Sequence, residues 1–240
     1  MTTLQGMDHL TETIRTAGFA FVHADTMRAA LVSHGPLADW DAFAASWNDL
    51  GQDTYMADGG RYRKRRHAAF RVRADGAGRL PAQPHYQSRD YNQLNGGIER
   101  WFQPVLPAVA SGPSMTAILR FCERLFSALT PAPSWFTEIH QFRIEARVGQ
   151  AGQPTPEGMH RDGVDHVLVL LIRRTNVRSG VTSVHDLTGH MLGTFTLTEP
   201  FDAALVDDTR VLHGVTPVEL VEPRETGFRD VLVVTFKRDG

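Results

Sequence analysis

Residues 203–218 read Ala203-Ala-Leu-Val-Asp-Asp-Thr-Arg-Val-Leu-His-Gly-Val-Thr-Pro-Val218. Two short apolar runs, Ala203–Val206 and Val211–Val218, flank a turn that begins at Asp207 and Asp208. Runs of this length, bounded by turn formers, read as strands rather than helices. The same texture recurs outward. Strands are expected at Ile139–Val148, His166–Ile172, Val181–Asp186, Thr194–Thr198 and Val231–Phe236. A Gly/Pro-rich loop, Gly149–Gly158, and a turn around Asn176–Gly180 punctuate them. Short strands at near-regular spacing with turn signals between them indicate a sandwich or barrel built from two sheets.

Before Trp135 the texture differs. An amphipathic helix is expected at Met7–Ala17, stopped by Gly18 and followed by a strand Phe19–Val22. Further helices are expected at Asp25–Ser33, Leu37–Asn48 and Pro113–Leu129, the last with Ile118, Phe121 and Leu125 on one side. Tyr62–Val72, which carries the basic run Arg63-Lys-Arg-Arg66, suits a strand with a charged approach. The predicted fold class is α+β: a jelly roll with N-terminal helices buttressing one sheet. A single domain is expected over 1–240, with 1–134 mostly helical and 135–240 strand-rich and carrying the site.

Composition bounds the function. Of 240 residues, 42% are hydrophobic and 22% charged, and the net charge is −2, so no global pull toward nucleic acid or membrane is expected. The single cysteine, Cys122, cannot form an internal disulfide and reads as a small buried hydrophobe. No run approaches the ~18 apolar residues of a membrane span. The first eighteen residues carry Asp8, Glu12 and Arg15, unlike a secretory signal. A cytoplasmic protein is expected, with a homodimer as the commonest default assembly. The run Arg61–Arg66 reads as a nucleic-acid patch, as a solvated strand face, or as arginines paired with acidic neighbours.

The chemistry is expected in Pro156-Glu-Gly-Met-His160-Arg-Asp162-Gly163, between two predicted strands. In extended chain, side chains at i and i+2 point the same way, so His160 and Asp162 can converge on one metal ion. His213, followed by Gly214 where backbone can approach closely, is the third candidate ligand. Two imidazoles and one carboxylate on one face of an octahedral ion leave three positions open, the facial triad of non-haem Fe(II) oxygenases. The bland reading makes His160 and Asp162 loop caps and His213 a hydrogen-bonded core residue. Arg229, at the start of the last strand, offers a planar guanidinium for the distal carboxylate of 2-oxoglutarate; Arg224, in a Pro/Glu-rich turn, is its competitor.

On the strand before the metal loop, Gln141 and Arg143 share one face, with Phe142 and Ile144 on the other. If the polar face points inward, Gln141 can donate to 2-oxoglutarate and Arg143 can meet a substrate carboxylate; otherwise both belong to an exposed face. Asn92 is a candidate at the site mouth or, in its Gly-rich surroundings, a turn former. His166, His185 and His190 read as ordinary strand or turn residues, and a second metal at Asp207 and Asp208 is not expected.

The stretches His160-Arg-Asp-Gly-Val-Asp-His166, Val206–Pro217 and Arg229-Asp-Val-Leu-Val-Val-Thr-Phe236 resemble the bacterial 2-oxoglutarate-dependent dioxygenase family that includes L-isoleucine 4-hydroxylase. So do Gly59-Gly-Arg-Tyr-Arg-Lys-Arg-Arg-His67 and Tyr91-Asn-Gln-Leu-Asn-Gly-Gly97. The resemblance implies a double-stranded β-helix, Fe(II), 2-oxoglutarate and O₂, and hydroxylation of a small substrate, a free amino acid or derivative. It makes His160, Asp162 and His213 the iron ligands and Arg229 the co-substrate anchor, although Val231 stands where a common Arg-x-Ser variant has serine. The rival readings are an oxygenase that demodifies nucleic acid or protein, and a cupin-like or sugar-binding barrel without oxygenase activity.

Overall fold

Alternation along the strands decides what each face of the main sheet meets. The computed structural model describes residues 3–239. The first half holds α1 (Thr3–Ala17), β1 (Phe19–Val22), α2 (Ala24–Val32), α3 (Trp40–Ala45), a 3₁₀ turn Ser46–Asp49, β2 (Gly51–Gln52), β3 (Arg63–Arg73) and β4 (Gly76–Arg79). Two helices, α4 (Pro107–Ala110) and α5 (Pro113–Leu129), precede β5 (Trp135–Ala146) and β6 (His166–Thr175). The remaining strands are β7 (Val177–Ser179), β8 (Val181–Asp186), β9 (Met191–Thr196), β10 (Ala203–Asp207), β11 (Val211–Val215), β12 (Val218–Leu220) and β13 (Gly227–Arg238).

Eight strands form an antiparallel sheet in the order β1-β10-β6-β13-β5-β3-β2, with β4 also paired to β3. A three-stranded sheet, β11-β8-β9, and the pair β12-β7 face it, completing the jelly roll. One face of the large sheet carries Ile139, Leu168, Leu170, Leu232, Val234 and Phe236, buried against the helices. Helix α5 supplies Ile118, Phe121, Leu125 and Phe126 to that layer. Pro113 at its first position, where an amide N–H has no partner anyway, starts α5. The Asp39 carboxylate accepts from the amide and hydroxyl of Ser114 in the same first turn. Cys122 is buried in this helix, and burial pushes its thiol pKa up. The opposite face of the sheet carries Val167, Leu171, Val206 and Val231, which meet Val184, Val211 and Leu197 across the interior.

Several expected boundaries shift for identifiable reasons. The helix expected at Leu37–Asn48 is α3 plus the 3₁₀ turn. Val211–Val218 divides at Thr216-Pro217, since proline has no N–H to give a ladder, and β12 pairs instead with β7, inside the stretch expected to be a turn. Strand β13 begins at Gly227, so Arg229 lies within it. The 1–134 part, expected to be mostly helical, also contributes β1 to β4, and β3 pairs with β5 from Arg63↔Ile144 to Val72↔Trp135. No helix among the described residues is long and apolar enough to cross a membrane.

Candidate active site

Between the two sheets lies a cavity of about 360 Å³, within the range of small-molecule sites. His160, Asp162 and His213 line it, and their ligand atoms lie within 4.8 Å of one another. The backbones of His160 and His213 exchange two hydrogen bonds, of 3.0 and 2.9 Å, as an isolated antiparallel bridge. That bridge brings β11 against the metal loop. A Cβ at Gly214 would stand 3.3 Å from the Gly158 carbonyl oxygen, so the close approach expected there is real. The ring of His160 donates from Nδ1 to the Gly158 carbonyl at 3.0 Å, which leaves Nε2 free to ligate. Asp162 Oδ1 stands 3.6 Å from His160 Nε2, and Asp162 Oδ2 stands 3.6 Å from His213 Nε2.

Electrostatics match a cation site. Burial opposes ionisation of Asp162, but the two imidazoles of His160 and His213, each 3.6 Å away, outweigh it and bring the carboxyl to about 2. Burial also works against a charged His160, yet the nearby carboxylates of Asp162 and Glu157 and the Gly158 carbonyl raise it to about 9. His213 goes the other way, to about 4, through burial and then the His160 charge. The donor set, two imidazoles and a carboxylate with open cavity beside them, fits iron(II). Asp208, read from sequence as a turn former, holds the ligand loop: its carboxylate accepts from the backbone N–H groups of Asp162, Gly163 and Val164 at 2.9, 2.8 and 3.1 Å. Gly163 has φ +81°, and a Cβ there would lie 2.5 Å from the Tyr91 ring, so a side chain is excluded directly after the ligand.

Arg229 lines the same cavity and is buried, and its Nε and Nη2 have no protein partner. Burial and then the nearby Arg174 lower its pKa to about 10, which still leaves a cation at neutral pH. A buried guanidinium with two idle donors fits a carboxylate such as the distal end of 2-oxoglutarate. Arg224 is exposed, away from the cavity.

Gln141 and Arg143 face away from the cavity. Gln141 Nε2 donates to Ser46 Oγ, and Arg143 makes a two-point ion pair of 2.7 Å with Asp230 behind the sheet. The cavity face of β5 is instead Phe136, Glu138, His140, Phe142 and Ile144. The expected inward face is therefore wrong by one residue, which on a strand inverts every side chain. Asn92 is buried among the cavity-lining residues, where its amide donates to Gln87 and its oxygen accepts from the Asn95 N–H.

Sequence reading missed the polar wall opposite the triad. Glu138 Oε1 accepts from His67 Nε2 at 2.8 Å and His85 Nδ1 at 3.0 Å. These hydrogen bonds outweigh burial and hold Glu138 at about 2. Arg65 Nη2 stands 2.6 Å from His140 Nδ1. An arginine can only donate, so that nitrogen accepts and the His140 proton sits on Nε2. The four residues His67, His85, Glu138 and His140 are close enough to hold an ion. Ligation by His140 Nδ1 would first have to displace Arg65, so the group works as a hydrogen-bonded wall. The basic run ends up paired rather than presented as a patch: Arg63 and Arg65 share Asp53, and Arg66 meets Asp49. Glu157, 3.5 Å from His160 Nε2, also escaped notice. The available signal was the alternation of Glu138 and His140 on one side of a strand with Thr137, Ile139 and Gln141 on the other.

The likeness to known proteins follows the same residues. The family described as 2OG-Fe dioxygenase matches residues 44–235, a span that includes the triad and Arg229. An L-isoleucine-4-hydroxylase of Bacillus thuringiensis is 28% identical over 156 residues, 63% of this chain and 64% of that one. A 3(1)-hydroxy-L-isoleucine 4-dioxygenase of Pantoea ananatis is 27% identical over 161 residues, 65% of this chain and 64% of that one. The chain thus spans 64% of the length of each of these relatives. The crystal structure of a bsmA homolog from Methylobium petroleophilum PM1 is 36% identical, with a TM-score of 0.89 over 98% of this chain and 94% of that one. A jelly roll with a His-Asp-His cluster between its sheets, matched by this family over most of its length, places the chain in the 2OG-Fe dioxygenase family.

Proposed function

We propose that the chain is a cytoplasmic Fe(II)- and 2-oxoglutarate-dependent dioxygenase that hydroxylates a free amino acid, an aliphatic one such as L-isoleucine first among them. The observation that carries this reading is one cavity holding both a His-Asp-His cluster and a separate buried guanidinium with idle donors. His160, Asp162 and His213 would hold the iron, and Arg229 would receive the distal carboxylate of 2-oxoglutarate. When bound, the iron couples oxidation of 2-oxoglutarate to succinate and CO₂ with insertion of one oxygen atom of O₂ into a C–H bond of the substrate. The protein's part is to position and to exclude water. Val169, Val206, Val231 and Val233 form an apolar wall beside the ligands, suited to methylene groups and an aliphatic side chain. The two relatives named for isoleucine chemistry support the substrate class.

The test is succinate release from a panel of free L-amino acids with Fe(II), 2-oxoglutarate and O₂. Stimulation by one or a few aliphatic amino acids is expected, with no release from His213→Ala. Stimulation only by single-stranded DNA or a peptide would move the reading to a demodifying oxygenase. Full turnover by His213→Ala would remove that ligand.

A further inference from the structure

Arg100 is a buried cation of the cavity with no role in the iron and co-substrate sites described above. It lines the cavity and is 2% exposed. Its Nε has no partner, and its one side-chain contact is a long 3.5 Å approach of Nη2 to Gln87 Oε1. The neighbouring arginines Arg63 and Arg65 also have an unpartnered nitrogen, Nη2 and Nε respectively, but they share a carboxylate. Asp53 takes Arg63 at 2.8 Å and Arg65 at 3.6 Å, whereas among the described residues no carboxylate lies within ion-pair distance of Arg100. Asp53, Glu157 and Glu138 act on Arg100 only from a distance, and a buried guanidinium with no direct ion pair is unfavourable, so the site suits an anion that arrives from outside.

The backbone under Arg100 is rigid, since its N–H and C=O both bond His85, at 3.0 Å each way. Gln87 ties the guanidinium to the metal loop: its Oε1 faces Arg100, and its Nε2 donates to the Asp162 carbonyl at 3.1 Å.

We propose that Arg100 is the anchor for the α-carboxylate of the amino-acid substrate. The proposal rests on the amino-acid reading above and adds the residue that recognises the free acid. Two carboxylate-bearing ligands need two guanidinia, and of the four that line the cavity, Arg100 and Arg229 are the two without an ion pair among the described residues. Arg229 belongs to β13, where its charged neighbour is Arg174. Arg100 answers to Arg63 and Asp53 at the β3 edge, then to Glu157 and Glu138. Arg100 lies outside the large sheet's strands, bridged to His85, whereas Arg229 lies within β13. An amino acid esterified or amidated at its carboxyl would leave Arg100 buried and unpaired, so this residue selects the free acid over peptide-bound or carrier-bound forms.

The experiment is calorimetric binding to protein loaded with Mn(II) and 2-oxoglutarate, using L-isoleucine, L-valine, L-leucine and L-methionine and their primary amides. Wild type is expected to prefer the acid of its best ligand over the amide by roughly 10- to 100-fold. Arg100→Gln is expected to bind the acid as weakly as the amide while keeping its 2-oxoglutarate affinity within about twofold, which also reports that it folds; Arg229→Gln shows the reverse. Equal wild-type affinity for acid and amide overturns the proposal without any variant, and so does an Arg100→Gln protein that retains the acid preference. Loss of 2-oxoglutarate binding alone in Arg100→Gln would make Arg100 a co-substrate residue and likewise overturn it. Should wild type bind 2-oxoglutarate but none of the amino acids, the substrate reading itself falls, and this proposal with it.

Discussion

Arg229 keeps two guanidinium nitrogens without partners in a buried site, an arrangement that stays unfavourable until an anion arrives. Arg229→Gln is therefore expected to raise the KM for 2-oxoglutarate roughly 10- to 100-fold without lowering the melting temperature of the ligand-free protein; an unchanged KM would remove the anchor. Glu138 is tuned the other way. Burial alone would raise its pKa, but the His67 and His85 hydrogen bonds bring it from 4.5 to about 2. A carboxyl whose pKa falls on folding adds stability that is complete above pH 4.5 and is lost as pH falls through about 2. Between those limits the ligand-free wild type should lose about 3 kcal/mol more than Glu138→Gln, read from urea midpoints; parallel curves would show that the two hydrogen bonds do not form. The sequence made Arg229 legible because it stands just before the apolar run Val231–Val234 of the last strand. It left β5 ambiguous because both faces carry polar residues, Glu138 and His140 on one and Gln141 and Arg143 on the other, and a period of two does not say which face is inside.

The metal loop is the element on which the site turns. Its strand-like i, i+2 spacing brings His160 and Asp162 to one side, but the loop is irregular and depends on the Asp208 carboxylate for three of its backbone N–H groups. Partners that orient ligands typically affect metal affinity 10- to 100-fold. Asp208→Ala is expected to weaken Mn(II) binding by roughly that factor while leaving the fold intact by circular dichroism; an unchanged titration would show that the loop holds its shape unaided. The cluster of His160, Asp162 and His213 was readable because the residue types and their order are unusual. Asp208 was not, because an aspartate after a strand is most often a turn former and its partners lie 44 to 46 residues away. Strands with clear turn signals, such as Phe19–Val22 and Val181–Asp186, fall where expected. Those whose ends depend on cross-strand partners, β5, β7 and β12, do not, since pairing is a property of the neighbour as much as of the segment.

In the whole molecule the large sheet separates two kinds of interior. The helix side is apolar and closely packed, with Phe126 against Phe236 at 5.2 Å between ring centroids, and needs no ligand. The cavity side gathers internally paired groups, Asp53 with Arg63 and Glu138 with His67 and His85, beside Arg100 and Arg229, which have no ion pair among the described residues. Folding free energy and ligand binding are thus coupled on one face alone. A ligand at a hundred times its Kd stabilises the native state by about 2.7 kcal/mol. For a chain of this size each kcal/mol is worth about 2–4 °C, so saturating Mn(II) with 2-oxoglutarate should raise Tm by roughly 5–11 °C. His213→Ala should keep a normal metal-free Tm and lose most of that rise. Phe126→Ala should drop the baseline by about 3–5 kcal/mol and keep the rise, since it leaves a void on the other side of the sheet. A ligand-induced shift that vanishes in Phe126→Ala while the variant remains folded would mean that the two faces act as one unit, and that the cavity wall is shaped by helix packing.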